Sequence, residues 1–154
     1  METYDQKRRR LYGKQDLPIY LAELRKILKI DVDESLLLSI AETDLVRQNC
    51  LAKQLMCSYK ILFNDKEKLK KILLESPRSK IGNYYVFTSY SKDCGAAVIS
   101  TLNDFNFDFS YKAVPSGIIT LTRVDLVEEI VLDFYVECDT EYLEVLTYEK
   151  PINL

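Results

Sequence analysis

The spacing of apolar residues changes between the two halves of this 154-residue chain, and that change restricts the fold. Over residues 17–28, apolar side chains recur every three or four positions, which is typical of an amphipathic helix. Over residues 130–138, every second side chain is apolar, which is typical of a strand with one buried face. Helices followed by strands predict an α+β fold, with N-terminal helices packed on a C-terminal, mainly antiparallel sheet.

Length and composition predict one domain over residues 1–154. The chain can form its own core, and its four Gly and four Pro leave no long flexible linker. We expect a flexible basic N-terminus at 1–15, a helical half at 16–76 and a mainly β half at 82–149. Residues 76–79 are expected to end the helical half, and residues 150–154 to form a loose tail.

Residues that can cap helices mark four helical segments in the first half. The predicted caps and helices are Asp16 with 17–28, Asp33 with 34–41, Thr43 with 44–61, and Asp65 with 66–75. Pro18 fits the first turn of the first helix, where a missing N–H costs little.

The second half contains β-branched residues and most of the Tyr and Phe residues. The predicted strands are 84–90, 105–111, 118–124, 130–138 and 142–148, with turns at 115–117 and 139–141. Phe105, Phe107 and Phe109 share one face of their predicted strand, and we expect that face in the core. Residues 95–102 fit a helix or a strand, and we favour a short helix capped by Ser91 or Asp93.

The absence of histidine excludes several kinds of site. It removes Ser-His-Asp and Cys-His catalysis as well as His-ligated zinc. Cys50, Cys57, Cys94 and Cys138 form no Cys-x-x-Cys pair, so we interpret them as reduced thiols that act as small buried hydrophobes. We therefore expect no metal, no cofactor and no catalytic residue. The apolar runs are far shorter than the ~18 residues of a membrane span, and no secretory signal is visible, which predicts a cytoplasmic protein.

Charge is divided unevenly along the chain. Residues 1–100 carry 18 Lys/Arg and 13 Asp/Glu, a net of +5, whereas residues 101–154 carry 3 and 11, a net of −8. The two values sum to the total of −3. A split of this kind bears on partners rather than on fold, and it favours a basic partner for the C-terminal half.

The acidic residues of the second half fall beside tyrosines on one predicted strand face. Asp133, Tyr135 and Glu137 share the polar side of 130–138, and the following strand can add its own tyrosines and acids. The predicted partner-binding residues are Asp133, Tyr135, Glu137, Asp139, Glu141, Tyr142, Glu144 and Tyr148. An ordinary solvated sheet face is the alternative interpretation of the same pattern.

These features lead to three hypotheses. The first is a non-catalytic cytosolic inhibitor or immunity-type protein that neutralises a basic protein, such as a nuclease toxin, through this acidic face. The second is a nucleic-acid-binding or regulatory protein that uses the basic residues 7–10 and Lys14. The third is a His-free enzyme that uses carboxylates or Cys94. The first is our prediction, because the chain as a whole is acidic and lacks a catalytic set.

Overall fold

The computed structural model describes residues 1–50, 53–74, 82–125 and 128–149. Helices from the first half pack against one six-stranded antiparallel sheet, so the predicted α+β fold is confirmed. The predicted end of the helical half at 76–79 and the predicted loose tail at 150–154 lie outside the described residues.

Four α-helices and two short 3-10 helices occur within the described ranges. The α-helices are α1 (Tyr4–Ile27), α2 (Ile40–Asn49), α3 (Lys66–Leu74) and α4 (Ser91–Cys94). The 3-10 helices are Glu34–Leu36 and Leu102–Asp104. The Asp65 carboxylate accepts a hydrogen bond from the Lys68 N–H at 3.2 Å, so the predicted cap of α3 is confirmed.

Helix α1 begins well before its predicted start at residue 17. The Thr3 hydroxyl accepts the Gln6 N–H at 3.1 Å, and the Gln6 side chain accepts the Thr3 N–H at 2.9 Å. This reciprocal capping box satisfies two N–H groups at the helix start, and Pro18 is accommodated inside the helix. The predicted start of the first helix at residue 17 was therefore wrong, because α1 already begins at Tyr4.

The predicted helix over 44–61 was also wrong. Ser39 caps α2, which ends at Asn49, and the chain then forms strand β1 (Gln54–Leu62). The apolar residues of this segment fit a helical period, but its polar residues Ser58 and Lys60 also fit a period of two. Pairing with a strand from the end of the chain decides between the two patterns. Asp33 caps the 3-10 helix Glu34–Leu36 rather than a helix over 34–41.

The sheet is antiparallel throughout. Its other strands are β2 (Tyr84–Phe87), β3 (Ala97–Ile99), β4 (Ile118–Arg123), β5 (Glu128–Glu137) and β6 (Thr140–Glu149). The strand order is β1-β6-β5-β4-β2-β3. The strands predicted over 118–124, 130–138 and 142–148 are thus confirmed within a few residues, and the strand predicted over 84–90 is shorter. The helix favoured over 95–102 was wrong, since α4 precedes it and β3 occupies its centre.

One face of the sheet forms the core with α1, α3 and the aromatic segment after β3. Phe105, Phe107 and Phe109 are buried, as predicted, but no strand forms over 105–111. The backbone of this segment bonds to the end of α1 instead: the Asn106 N–H donates to the Ile27 carbonyl at 2.7 Å. The opposite sheet face, here called the outer face, carries half-buried and exposed side chains along β5 and β6.

Candidate functional site

The hairpin of β5 and β6 carries the predicted partner-binding residues. Its strands pair over their whole length, from Glu128 opposite Glu149 to Glu137 opposite Thr140. Cys138 and Asp139 form the connection with φ values of 52° and 63°, as in a two-residue turn of type I′. The turn therefore lies one residue earlier than the predicted 139–141.

The register brings six of the eight predicted residues to one side. Residues directly opposite each other in an antiparallel pair project to the same face. Tyr135 lies opposite Tyr142, and Asp133 lies opposite Glu144. We call the set Asp133, Tyr135, Glu137, Tyr142, Glu144 and Tyr148 the acidic tyrosine face. It forms part of the outer face of the sheet.

Asp139 and Glu141 do not belong to this face. Asp139 lies in the turn and is exposed. Glu141 lies opposite Val136, whose side chain projects to the other side of the hairpin than that of Tyr135. Asp139 and Glu141 are among the predicted partner-binding residues, but they lie outside the set of six that share one side.

Two tyrosines lie side by side near the turn end of the acidic tyrosine face. The ring centroids of Tyr135 and Tyr142 are 6.1 Å apart, with an angle of 34° between the ring planes. The Tyr135 hydroxyl donates to Glu144 Oε1 at 3.2 Å. Burial and the neighbouring Glu144 carboxylate raise the pKa of Tyr135, so the hydroxyl keeps its proton and remains a donor.

Asp133 and Glu144 place two negative charges side by side. Burial, together with the charge of Glu144, raises the pKa of Asp133. Neither carboxylate forms an ion pair with any residue that the structure describes. This pair is therefore a site where an added cation would relieve repulsion between like charges.

Lys60 is a member of this region that the sequence analysis missed. It lies opposite Glu144 on β1, and its amine contacts Glu137 Oε2 at 3.1 Å and lies 4.4 Å from the ring centroid of Tyr142. The hydrogen bond to Glu137 raises the pKa of Lys60. The apolar spacing of this segment also predicts a helix, and a helix would not place Lys60 beside the hairpin. The polar residues Ser58 and Lys60 alternate with Cys57, Tyr59 and Ile61, and this period of two is the signal that could have revealed the strand.

The other end of the acidic tyrosine face is neutralised. Tyr148 lies opposite Glu129, whose carboxylate contacts the Lys53 amine at 3.3 Å. The Lys53 side chain is only 4% exposed, so this ion pair is shielded from water. Val131 and Leu146 lie opposite each other between the two ends. Along the hairpin, the outer face of the sheet thus has an acidic end, an apolar middle and a neutral end.

The basic tract at residues 7–10 is largely neutralised within the chain. Arg9 contacts Asp44 and Asp5 and also donates to the Lys92 carbonyl at 2.9 Å. Arg8 contacts Asp5 at 3.2 Å. Arg10 contacts Glu2 at 2.9 Å. Three of the four cations therefore already have carboxylate partners, which reduces the charge that the tract offers to phosphates.

Cys94 borders a cavity of about 490 Å³ between α1, α2 and α4. Its thiol donates to the Gly13 carbonyl at 3.4 Å. Burial, Asp16 and Asp93 raise the pKa of Cys94 to about 11, so the thiolate needed for nucleophilic attack is scarce at neutral pH. Cys57 and Cys138 are exposed, so the prediction that the cysteines are buried was wrong for these two.

The described ranges contain no group of three or more Cys, Asp or Glu side chains placed to hold a metal ion. No helix within them is long and apolar enough to cross a membrane. Comparison with protein-family models, with curated proteins and with solved structures found no significant match.

Proposed function

We propose that this protein is a non-catalytic cytosolic inhibitor of the immunity type, which binds and neutralises a basic protein such as a nuclease toxin through the acidic tyrosine face. The observation that supports this proposal most directly is the Asp133–Glu144 pair. These two carboxylates share an open sheet face, lie beside two tyrosines and have no ion-pair partner among the described residues.

The chemistry of the face favours an arginine or lysine of the partner as its anchor. A guanidinium can bind a carboxylate through two parallel hydrogen bonds and can also stack on an aromatic ring. Asp133 and Glu144 supply the carboxylates, and Tyr135 supplies the adjacent ring. Tyrosine also adds contact area at a low entropic cost, which is why it is frequent at the centres of interfaces.

The same arrangement would suit a nuclease as the target. Nucleases bind phosphates with basic side chains. Closely spaced carboxylates can bind these same side chains in place of the phosphates. Acidic side chains also accelerate the encounter with a basic partner by long-range attraction. An inhibitor of this kind needs no chemistry of its own, which agrees with the raised pKa of Cys94.

The test is capture of a basic protein from the native cytosol, followed by titration with the purified partner. The wild-type complex is expected to weaken as salt rises, and Asp133→Lys is expected to weaken it at least 10-fold, or ~1.4 kcal/mol. Asp139→Lys makes the same charge change at an exposed turn position outside the face and should have much less effect. Equal affinities for the wild type and both variants would refute the proposed surface.

A further inference from the structure

β1 is an edge strand, and among the described residues only β6 pairs with it. β1 stands at one end of the strand order and is exposed at eight of its nine residues. Leu55, Met56 and Leu62 are each at least 50% exposed. Natural edge strands are usually protected by Pro, by several charges or by a covering segment. β1 has no Pro and carries a single charge, on Lys60, so little opposes pairing with another strand.

The hydrogen-bond pattern shows which backbone groups face the open edge. Just beyond β1, the Phe63 N–H donates to the Glu141 carbonyl at 3.0 Å. Because bonded residues alternate in an antiparallel pair, Tyr59 and Ile61 bond to β6, and Ser58 and Lys60 direct their N–H and C=O groups outward.

Neither end of β1 offers a residue whose backbone N–H and C=O are both available at the open edge. The Leu62 carbonyl already accepts the Asp65 N–H at 3.0 Å. The strand is irregular between Leu55 and Cys57, where its register with β6 shifts. Ser58 and Lys60 are therefore the positions at which a further strand can bond to both backbone groups.

We propose that this edge pairs with the same edge of a second copy of the chain, antiparallel, about a two-fold axis that passes by Tyr59. In this register, Ser58 of each copy lies opposite Lys60 of the other, so all the outward groups of both residues are used. A register centred on Lys60 would place two ammonium groups opposite each other, which is unfavourable. A register centred on Ser58 would pair Lys60 with the irregular position Met56.

The side chains of β1 fit the same arrangement. The two Tyr59 residues meet in a pair without direct backbone bonds, where side chains approach most closely. Leu62 of one copy lies level with Met56 of the other, so exposed apolar surface is covered at both ends. The charge of Lys60 is compensated within its own copy by Glu137 at 3.1 Å. The two sheets become continuous, and both acidic tyrosine faces lie on the same side.

The first test is the mass of the full chain in solution, measured by sedimentation equilibrium over a range of concentrations. The mass is expected to rise from 17.9 kDa toward twice that value. Ser58→Pro removes an outward N–H without removing a bond to β6, and it should leave a folded monomer. A monomer at every concentration, or a folded Ser58→Pro dimer, would overturn the proposal. Asp133→Lys should not change the mass, which separates this test from that of the proposed function.

A second test does not depend on the folding of Ser58→Pro. Tyr59→Cys is made with the exposed Cys57 and Cys138 replaced by Ser. Cα atoms in such a pair are ~4.5 Å apart, within the range of a disulfide, so mild oxidation should give a covalent dimer. Leu62→Cys in the same background is the control, because the two copies of residue 62 lie at opposite ends of the paired segment. Equal cross-linking in both variants, or none in Tyr59→Cys, would contradict the register.

Discussion

Asp133 and Glu144 lie directly opposite each other on β5 and β6, and neither carboxylate has an ion-pair partner among the residues that the structure describes. Like charges placed opposite each other destabilise a sheet. The same arrangement that supports a binding role therefore lowers the stability of the free protein.

Asp133→Asn should stabilise the protein while it weakens binding to the basic partner. Removing one charge of the pair should raise the free energy of unfolding by about 0.2–1 kcal/mol at neutral pH. The pKa of Asp133 is raised in the folded protein. The repulsion between the two carboxylates of the wild type therefore disappears as pH falls and Asp133 is protonated. Denaturant unfolding of both proteins at neutral and acidic pH measures the difference, which should be larger at neutral pH. A variant that is less stable at neutral pH would contradict this.

Lys60→Gln should increase the association rate with a basic partner and leave stability nearly unchanged. The side chains of Lys60 and Glu137 are 44% and 56% exposed, so their ion pair contributes less than about 1 kcal/mol. Its loss makes the acidic tyrosine face more negative, and stopped-flow mixing should show faster association, most clearly at low salt. Lys68→Gln, an exposed change on α3, is the control. Equal acceleration by both variants would show that only net charge matters.

Glu23→Gln should stabilise the protein at neutral pH. Glu23 on α1 is 4% exposed, and neither carboxylate oxygen accepts a hydrogen bond of ordinary geometry from a residue that the structure describes. Burial raises the pKa of Glu23, and the opposing effects of Thr88 and Lys26 do not cancel this. The folded state therefore binds more protons than the unfolded state above the ordinary pKa of Glu, and stability falls as pH rises through that interval.

The isosteric amide removes this dependence on pH. We expect the free energy of unfolding to rise by on the order of 1 kcal/mol at neutral pH, with little change at a pH low enough to protonate Glu23 in both states. Urea unfolding over a series of pH values measures both effects. Glu34→Gln, at an exposed position, is the control and should show neither. A loss of stability in Glu23→Gln at neutral pH would indicate that the charged form is favoured by contacts.

Gly13→Ala should destabilise the protein although alanine favours helices. A Cβ at this position of α1 would clash with the Asp93 carbonyl oxygen, which belongs to the backbone of α4. Helix propensity alone predicts a gain of ~1 kcal/mol, whereas separating the two helices should cost a net 1–3 kcal/mol, roughly the cost of overpacking. Thermal unfolding against Gln15→Ala, an exposed change on the same helix, checks the sign. Equal stabilisation in both variants would contradict the close approach.

The sequence predicted the hairpin of β5 and β6 well because its signals are local. Alternation along each strand specifies which side is apolar, and the short connection restricts the register. The pairing of Tyr135 with Tyr142 depends on the two-residue turn at Cys138 and Asp139, which lies one residue earlier than predicted.

The segment over 105–111 shows how far alternation can mislead. Its aromatic side chains are buried, as the pattern predicted, but its backbone bonds to the end of α1 and not to a neighbouring strand. Hydrophobic spacing reports which side chains avoid water. It does not report where the backbone finds its hydrogen bonds.

The sequence by itself determined the α+β class, the burial of the aromatic segment and the two faces of the hairpin, because each depends on the spacing of apolar residues within single segments. Only the tertiary structure decided that residues 54–62 form an edge strand beside β6 and that Lys60 enters the acidic tyrosine face. The residues of β1 fit a helix and a strand almost equally. A partner strand far away in the chain decides between them, and such a partner leaves no periodic signal in the segment itself.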